Sequence, residues 1–433
     1  MSEWRVFKLG DLSKRITSGG TPSTKRPDYY GGRIPWLKTQ EINFNRIYRT
    51  ETYISEEGLK ASSAKWIDEN SIIVAMYGAT AGRIAINKIP ITTNQACCNI
   101  TINEKLAEYE FIYYNLLNRF SELQDLANGA AQQNLNAGII SNLNILLPPL
   151  SEQKAIAHIL GSLDDKIELN RRMNETLEAM ARAIFKDWFV DFGPTRAKIE
   201  GRAPYLPEPI WSLFPDAIDP QSGLPQGWKL VRIRDICSAI YSGGTPSTKN
   251  PENWGGDVPW LSSGETRNTF IIDTDRKITD VGVKSSSTKK VPALATVIAS
   301  AGQGNTRGQT SLLGIETYIN QSVVALVADN DAISPYFLFF DLERRYDEFR
   351  RISDAHSSRG SLTTKLLAEL QSNLPHHKLI QSFDSMCRST IQKCFANLRE
   401  SRTLAELRDR LLPKLMSGEI RVKDAEKLVE EVL

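Results

Sequence analysis

One string of residues occurs twice without change, as Ser18-Gly19-Gly20-Thr21-Pro22-Ser23-Thr24-Lys25 and as Ser242-Gly243-Gly244-Thr245-Pro246-Ser247-Thr248-Lys249. Paired glycines let a backbone approach another group closely, and hydroxyls beside a lysine suit a phosphate. A tight turn that both copies need for structure is the competing reading of the same string. Residues for covalent or metal chemistry are scarce. The five cysteines (Cys97, Cys98, Cys237, Cys387, Cys394) contain no Cys-x-x-Cys pair, so reduced thiols are expected and structural zinc is not. Of four histidines two are the adjacent His376 and His377, which leaves little for a His-based site. No Gly-x4-Gly-Lys-Ser/Thr phosphate loop occurs, and no Asn-Pro-Pro-Tyr or Asp-Pro-Pro-Tyr string. Gly302-x-Gly304 with Gly308 lacks the helix that a dinucleotide fingerprint requires, and Asp28 and Glu252 stand in polar loops without further carboxylates. A binding module is therefore expected rather than an enzyme. Net charge is only +2, so affinity for an anion has to come from local patches.

The elements that position these residues repeat with them. Position 18 answers to position 242, and at the same offset Trp4 meets Trp228, Asp11 meets Asp235, and Pro35-Trp36-Leu37 meets Pro259-Trp260-Leu261. Asn94-Gln95 then pairs with Asn320-Gln321, and Pro148 with Pro375, so small insertions separate the copies further on. Each copy carries short apolar runs, Ser71 to Ala75 and Ala295 to Ala299, among Gly, Pro, Ser and Asn clusters, the pattern of a mixed α/β unit.

A different texture follows each copy. From Ser151 no proline occurs before Pro194, and Ile156, Leu160, Leu163, Ile167, Leu177, Ala181, Ile184 and Trp188 recur at steps of four and three with Asn170 and Asn174 between them. This is a coiled-coil stripe, repeated as Phe383, Cys387, Cys394, Leu404, Leu411 and Leu415 with Asn397 on Asn170. An Asn inside such a seam fixes register, because a slip leaves its amide unpaired. Seven prolines between Gly193 and Gly227 suggest an extended, semi-rigid connector. The expected division is 1–150 globular, 151–192 long helix, 193–227 proline-rich linker, 228–376 globular, and 377–433 long helix with a tail. The fold class is α+β: two similar mixed α/β domains separated by two long helices packed as an antiparallel coiled coil, a pseudo-twofold tandem repeat. No run of about 18 apolar residues occurs, and Met1 to Asp11 lacks the apolar core of a signal peptide, so a cytoplasmic location and no membrane contact are expected.

With that layout the chain resembles the DNA-specificity (S) subunit of a type I restriction-modification system. The most specific string is the junction Trp188-Phe189-Val190-Asp191-Phe192-Gly193-Pro194, continuing through Leu213-Phe214-Pro215-Asp216 to Pro225-Gln226-Gly227-Trp228. Leu147-Pro148-Pro149-Leu150 with Glu152-Gln153, and Leu411-Leu412-Pro413-Lys414-Leu415-Met416-Ser417-Gly418, agree as well. The resemblance implies two target-recognition domains, each reading half of a split asymmetric site in double-stranded DNA. It further implies docking of two methyltransferase (M) subunits and of restriction/translocase (R) subunits. No cofactor is implied for this chain; S-adenosylmethionine belongs to the methyltransferase partner, and ATP with Mg to the restriction partner. The alternatives are the specificity chain of a related restriction system with a different cutting subunit, and a tandem-repeat enzyme with an interdomain cleft.

On that resemblance, candidate DNA contacts fall in matched loops. Thr21, Ser23 and Lys25 with Thr245, Ser247 and Lys249 are phosphate candidates, since an identical loop cannot read different bases. Divergent positions are better readers of base edges: Lys38, Thr39 and Gln40 against Ser262 and Ser263; Tyr77, Thr80 and Arg83 against Gln303, Asn305 and Arg307; and Gln132, Gln133 and Asn134 against Ser358 and Arg359. Large apolar side chains on the helices, Ile184, Phe185, Trp188, Phe189, Leu411, Leu415 and Met416, are expected to face outward and bind methyltransferase subunits.

Overall fold

The computed structural model describes residues 4–128, 135–302, 304–356 and 361–431. The chain divides into two compact units, Met1–Glu168 with Arg402–Leu433, and Leu169–Ser401. Both divisions fall inside the long helices Leu150–Phe189 and His377–Ser417, so each unit contains one globular copy and a segment of each helix.

In the first unit the largest sheet has five strands, ordered Ser13–Ser18, Cys97–Ile102, Ile72–Ala75, Ile84–Asn87, Asn45–Ile47. The second unit repeats it as Cys237–Ser242, Val323–Ala328, Thr296–Ala299, Thr310–Leu313, Phe270–Ile271. The apolar runs seen in the sequence are the central strand of each sheet. They are buried on both faces, which is why they show no polar alternation. A smaller sheet is built on Tyr30–Leu37 in one unit and on Trp254–Leu261 in the other, and a ribbon closes each copy, Arg5–Lys8 with Asn144–Leu147 and Lys229–Arg232 with Gln371–Leu374.

Each core continues from the sheet, through one short helix, into the long helices. In the first unit Phe111, Ile112 and Tyr114 of the helix Tyr109–Asn118 share a cluster with Ile156, Leu160 and Leu163 and with Leu404, Leu411 and Leu415. In the second, Phe337 and Phe340 share one with Ala181, Phe185, Trp188, Phe189 and Phe383. Gln153 fixes the start of the first helix: its amide donates to the Pro148 carbonyl at 2.8 Å and accepts from the Glu108 backbone at 2.9 Å. The second helix ends where Gly418 takes φ of 74°, a left-handed stop.

The asparagine seam lies in the second unit. Asn397 donates to the Asn174 side chain at 2.8 Å, Asn174 to the Cys394 carbonyl at 3.2 Å, and Asn170 to Glu400 at 2.7 Å. As position rises from 170 to 174 the partner falls from 400 to 394, so the helices pair antiparallel here. All three asparagines are buried.

The proline-rich segment differs from expectation. It is not an extended connector but folds into the second unit, with helices Gly193–Ile199 and Glu208–Trp211 and with Thr195, Ala197 and Phe214 buried. Pro194 and Pro209 stand in the first turns of those helices, where a missing N–H costs nothing. Phe214 and Trp228 supply the apolar anchors, with ring centroids 5.2 Å from Trp188 and 5.4 Å from Phe192 respectively.

Candidate nucleic-acid interface

The repeated glycine loop is held rigidly from beneath. Gly20 donates to the Thr93 carbonyl at 2.8 Å, and Trp36 donates its indole N–H to the Gly20 carbonyl at 2.9 Å; Gly244, Ile319 and Trp260 repeat the set at 3.1 and 3.2 Å. A Cβ on Gly19 or Gly20 would lie 2.2 Å from backbone atoms, and one on Gly243 would lie 1.9 Å from the Ile319 carbonyl oxygen. Packing therefore suffices to explain why the string is identical in both copies. Thr21 donates to Gln95, and Thr245 to Gln321 at 2.5 Å, so these hydroxyls brace the loop. Ser23, Lys25, Ser247 and Lys249 are exposed. The Ser247 carbonyl accepts from Asn253 at 3.0 Å and from Trp254 at 3.2 Å.

A glutamate that the sequence reading missed organises the segment after each tryptophan. Glu41 accepts from the Lys38 backbone at 3.0 Å and from the Glu51 backbone at 2.8 Å. Glu265 accepts from the Ser262 backbone at 2.8 Å, from its hydroxyl at 3.0 Å, and from the Asp275 backbone at 2.8 Å. The shared signal was an acid three positions after the first loop residue in both copies. Lys38 and Thr39 are half-buried and Gln40 exposed, while Ser262 and Ser263 are engaged within the turn, through the Ser262 hydroxyl and the Ser263 carbonyl, which accepts from Thr266 at 2.8 Å.

The loops after the central strands differ in length between the copies. Gly82 donates to Ala75 at 2.8 Å and Ala75 to the Arg83 carbonyl at 2.9 Å; Gly308 donates to Ala299 and Ala299 to the Gln309 carbonyl, both at 2.9 Å. Arg83 therefore corresponds to Gln309, not to Arg307, and two extra residues lie in this loop of the second copy. Gly82 and Gly308 have φ of 82° and 89°, where a side chain would be strained. Arg307 turns inward to pair with Asp354, its side chain only 11% exposed, so it is not presented as a reader. Tyr77 and Thr80 are half-buried, and burial raises the Tyr77 hydroxyl above its ordinary value. Asn305 is exposed, its carbonyl accepting from Tyr346 at 2.9 Å. Gln132, Gln133, Asn134, Gln303, Ser358 and Arg359 lie outside the described residues.

The expected outward apolar face is also corrected. Phe185, Trp188, Phe189, Leu411, Leu415 and Met416 are buried, at most 5% exposed, and only Ile184 is half-buried. Each unit's own short helix and sheet cover these side chains, so they build cores instead of a free surface. The large apolar side chains exposed on the long helices are Leu169, Met180 and Met386. Among the described residues no group of three or more His, Cys, Asp or Glu is placed to hold a metal, and no helix is long and apolar enough to cross a membrane.

The family described as the type I restriction modification DNA specificity domain matches residues 1–179 and 225–383. The specificity subunit of the type I restriction enzyme MjaIX from Methanocaldococcus jannaschii is 26% identical, over 98% of this chain and 94% of its own length. That of HindI from Haemophilus influenzae is 25% identical, over 97% of this chain and all of its own. The crystal structure of the type I restriction-modification S subunit from M. genitalium shares the fold, with a TM-score of 0.58 and 17% identity over 96% of both chains.

Proposed function

Because the chain belongs to the type I restriction modification DNA specificity family, whose role is non-catalytic DNA recognition, we propose that it reads a split, asymmetric DNA site with one half-site per unit. The observation that carries this is the pairing of two recognition surfaces with one architecture and different side chains. Identical readers would select a palindrome, whereas divergent ones select two unlike half-sites. Exposed Lys25 and Lys249 on rigid loops suit backbone phosphates, and the divergent positions around Arg83 and Gln309 suit base edges.

In this reading the chain binds no cofactor of its own and acts in the cytoplasm. Two methyltransferase subunits, using S-adenosylmethionine, dock on it, and restriction subunits using ATP and Mg complete the assembly. Exposed Leu169, Met180 and Met386 on the long helices are the apolar positions offered to such partners. Purified chain incubated with DNA and S-adenosylmethionine is expected to transfer no methyl group, and addition of the methyltransferase subunit to give adenine methylation at one split sequence. Methyl transfer by the chain alone overturns the reading. Mass measurement under saturating partner is expected to give two methyltransferase subunits per chain, and a ratio of one overturns that stoichiometry.

A further inference from the structure

In the second unit a cleft of about 440 Å³ opens between the turn that follows Trp260 and the loop that follows the central strand, with Arg267, Asn305, Gln309, Glu343 and Tyr346 among its walls. The side-chain oxygen of Gln309 is shielded from solvent and accepts no hydrogen bond. A buried acceptor left without a partner costs about 1–3 kcal/mol, so turning the Gln309 amide into the cleft, where an incoming donor can pair with it, is favoured.

The repeat shows what stands at the same two places in the first unit. Gln309 corresponds to Arg83 by the strand hydrogen bonds given above. Arg267 corresponds to Asn43, each lying two residues after the glutamate that organises its turn. In the first unit these residues meet: Arg83 donates to the Asn43 side-chain oxygen at 3.0 Å. Each unit thus places one arginine and one amide at this pair of positions, and the two residue types have changed walls between the units. Both walls adjoin segments that diverge between the copies, whereas the loop beneath Trp36 and Trp260 does not.

We propose that Asn43 with Arg83, and Arg267 with Gln309, are the paired base-edge readers that make the two half-sites different. This rests on the DNA-recognition reading and sharpens it. An arginine presents two donors to the O6 and N7 acceptors of guanine, and a glutamine amide pairs with N6 and N7 of adenine. Gln309, its amide turned into the cleft, therefore selects adenine and Arg267 an adjacent guanine, while Arg83, oriented by Asn43, selects guanine in the other half-site.

The test is methylome sequencing of cells carrying the chain with its methyltransferase subunit. The variants are R267N with Q309R, which writes the first unit's pair into the second, and the same-shape single variant Q309E. Wild-type chain comes first: absence of methylation at any split sequence overturns the DNA-recognition reading itself. Given a split site, the proposal expects both variants to alter one or two positions of one half-site, with discrimination there falling about ten- to a hundredfold. The other half-site and the gap stay as they were. An unchanged recognised sequence, whether at full rate or at a uniformly reduced rate, overturns the proposal while leaving the DNA-recognition reading intact. R267N alone, on an exposed wall, keeps the test decisive where the double variant assembles poorly.

Discussion

Where the first unit brings Tyr114, Asp164 and Arg408 together, the second has Phe340, Ile391 and Ala181 at the corresponding positions, aligned by Phe111 with Phe337 and by Asn170 with Asn397. In the first unit the Tyr114 hydroxyl donates to Asp164 at 2.6 Å, and Arg408 donates to the same carboxylate at 2.7 Å. Burial raises the Tyr114 phenol far above its ordinary value, so it remains a donor, and the Asp164 carboxylate beside Arg408 holds that guanidinium charged. Arg46 adds a contact to Glu110 at 3.4 Å and one to Asp165. In the second unit Phe270 stands where Arg46 does, with ring centroids 5.3 Å from Phe395 and 6.0 Å from Phe339. One recognition domain is joined to its helices by a directional ionic network and the other by aromatic packing, supplemented at its edge by Arg182 with Glu343 at 3.0 Å. An ionic seam tolerates few alternative geometries because each misplaced group is left unpaired, whereas an aromatic seam depends on volume.

That contrast can be broken most sharply by truncation. Phe185→Ala, which removes a ring contacting Phe337, Phe340 and Phe383, is expected to cost about 4 kcal/mol in urea unfolding. Arg408→Ala, which removes the guanidinium partner of the Asp164 carboxylate and leaves it the Tyr114 hydroxyl, is expected to cost about 3 kcal/mol. If the two units unfold separately, each loss appears in its own transition. The difference in kind shows in the next variant. Changing Tyr114, Asp164 and Arg408 together to Phe, Ile and Ala writes the second unit's seam into the first, and is expected to restore stability to within about 1 kcal/mol of wild type. A triple variant as unstable as the summed singles would mean that the network supplies more than attachment.

Smaller effects are expected at the two glutamate-centred turns. Glu265→Gln is expected to cost about 2 kcal/mol and Glu41→Gln about 1 kcal/mol, because Glu265 is 4% exposed and serves three donors while Glu41 is half-buried and serves two. Equal losses would contradict that ranking. The least disturbance is expected from thiol reagents. Burial pushes Cys98, Cys237, Cys387 and Cys394 up to about 12 and Cys97 higher still. Native protein at pH 8 should therefore resist iodoacetamide, with mass spectrometry finding all five alkylated only after denaturation.

Much of this architecture was legible because it rests on local pattern. The central strands and the long helices announced themselves by apolar runs and by the seam, and the asparagines by falling on that seam. The network of Tyr114, Asp164 and Arg408 was invisible, since its members lie 50 and 244 positions from Asp164. Proline density misled over 193–227, because Phe214 and Trp228 bury themselves regardless of how the intervening chain turns. The outward-facing assignment of Phe185 and Trp188 failed for a related reason: a stripe shows which residues avoid water but not how many layers cover them. Counting along the sequence pairs Arg307 with Arg83, and only the hydrogen bonds at the loop's base reveal the two extra residues that make Gln309 the true counterpart.

The claim that each unit reads its own half-site is tested most directly by exchanging Trp228 to Leu374 for the equivalent segment of a relative that keeps aromatic residues at positions 337 and 340. The chimera would be expressed with the methyltransferase subunit and the methylome sequenced. The account predicts a new sequence in one half-site, with the other half-site and the gap unchanged. Alteration of both half-sites, or of neither in a chimera that still directs methylation, would contradict it.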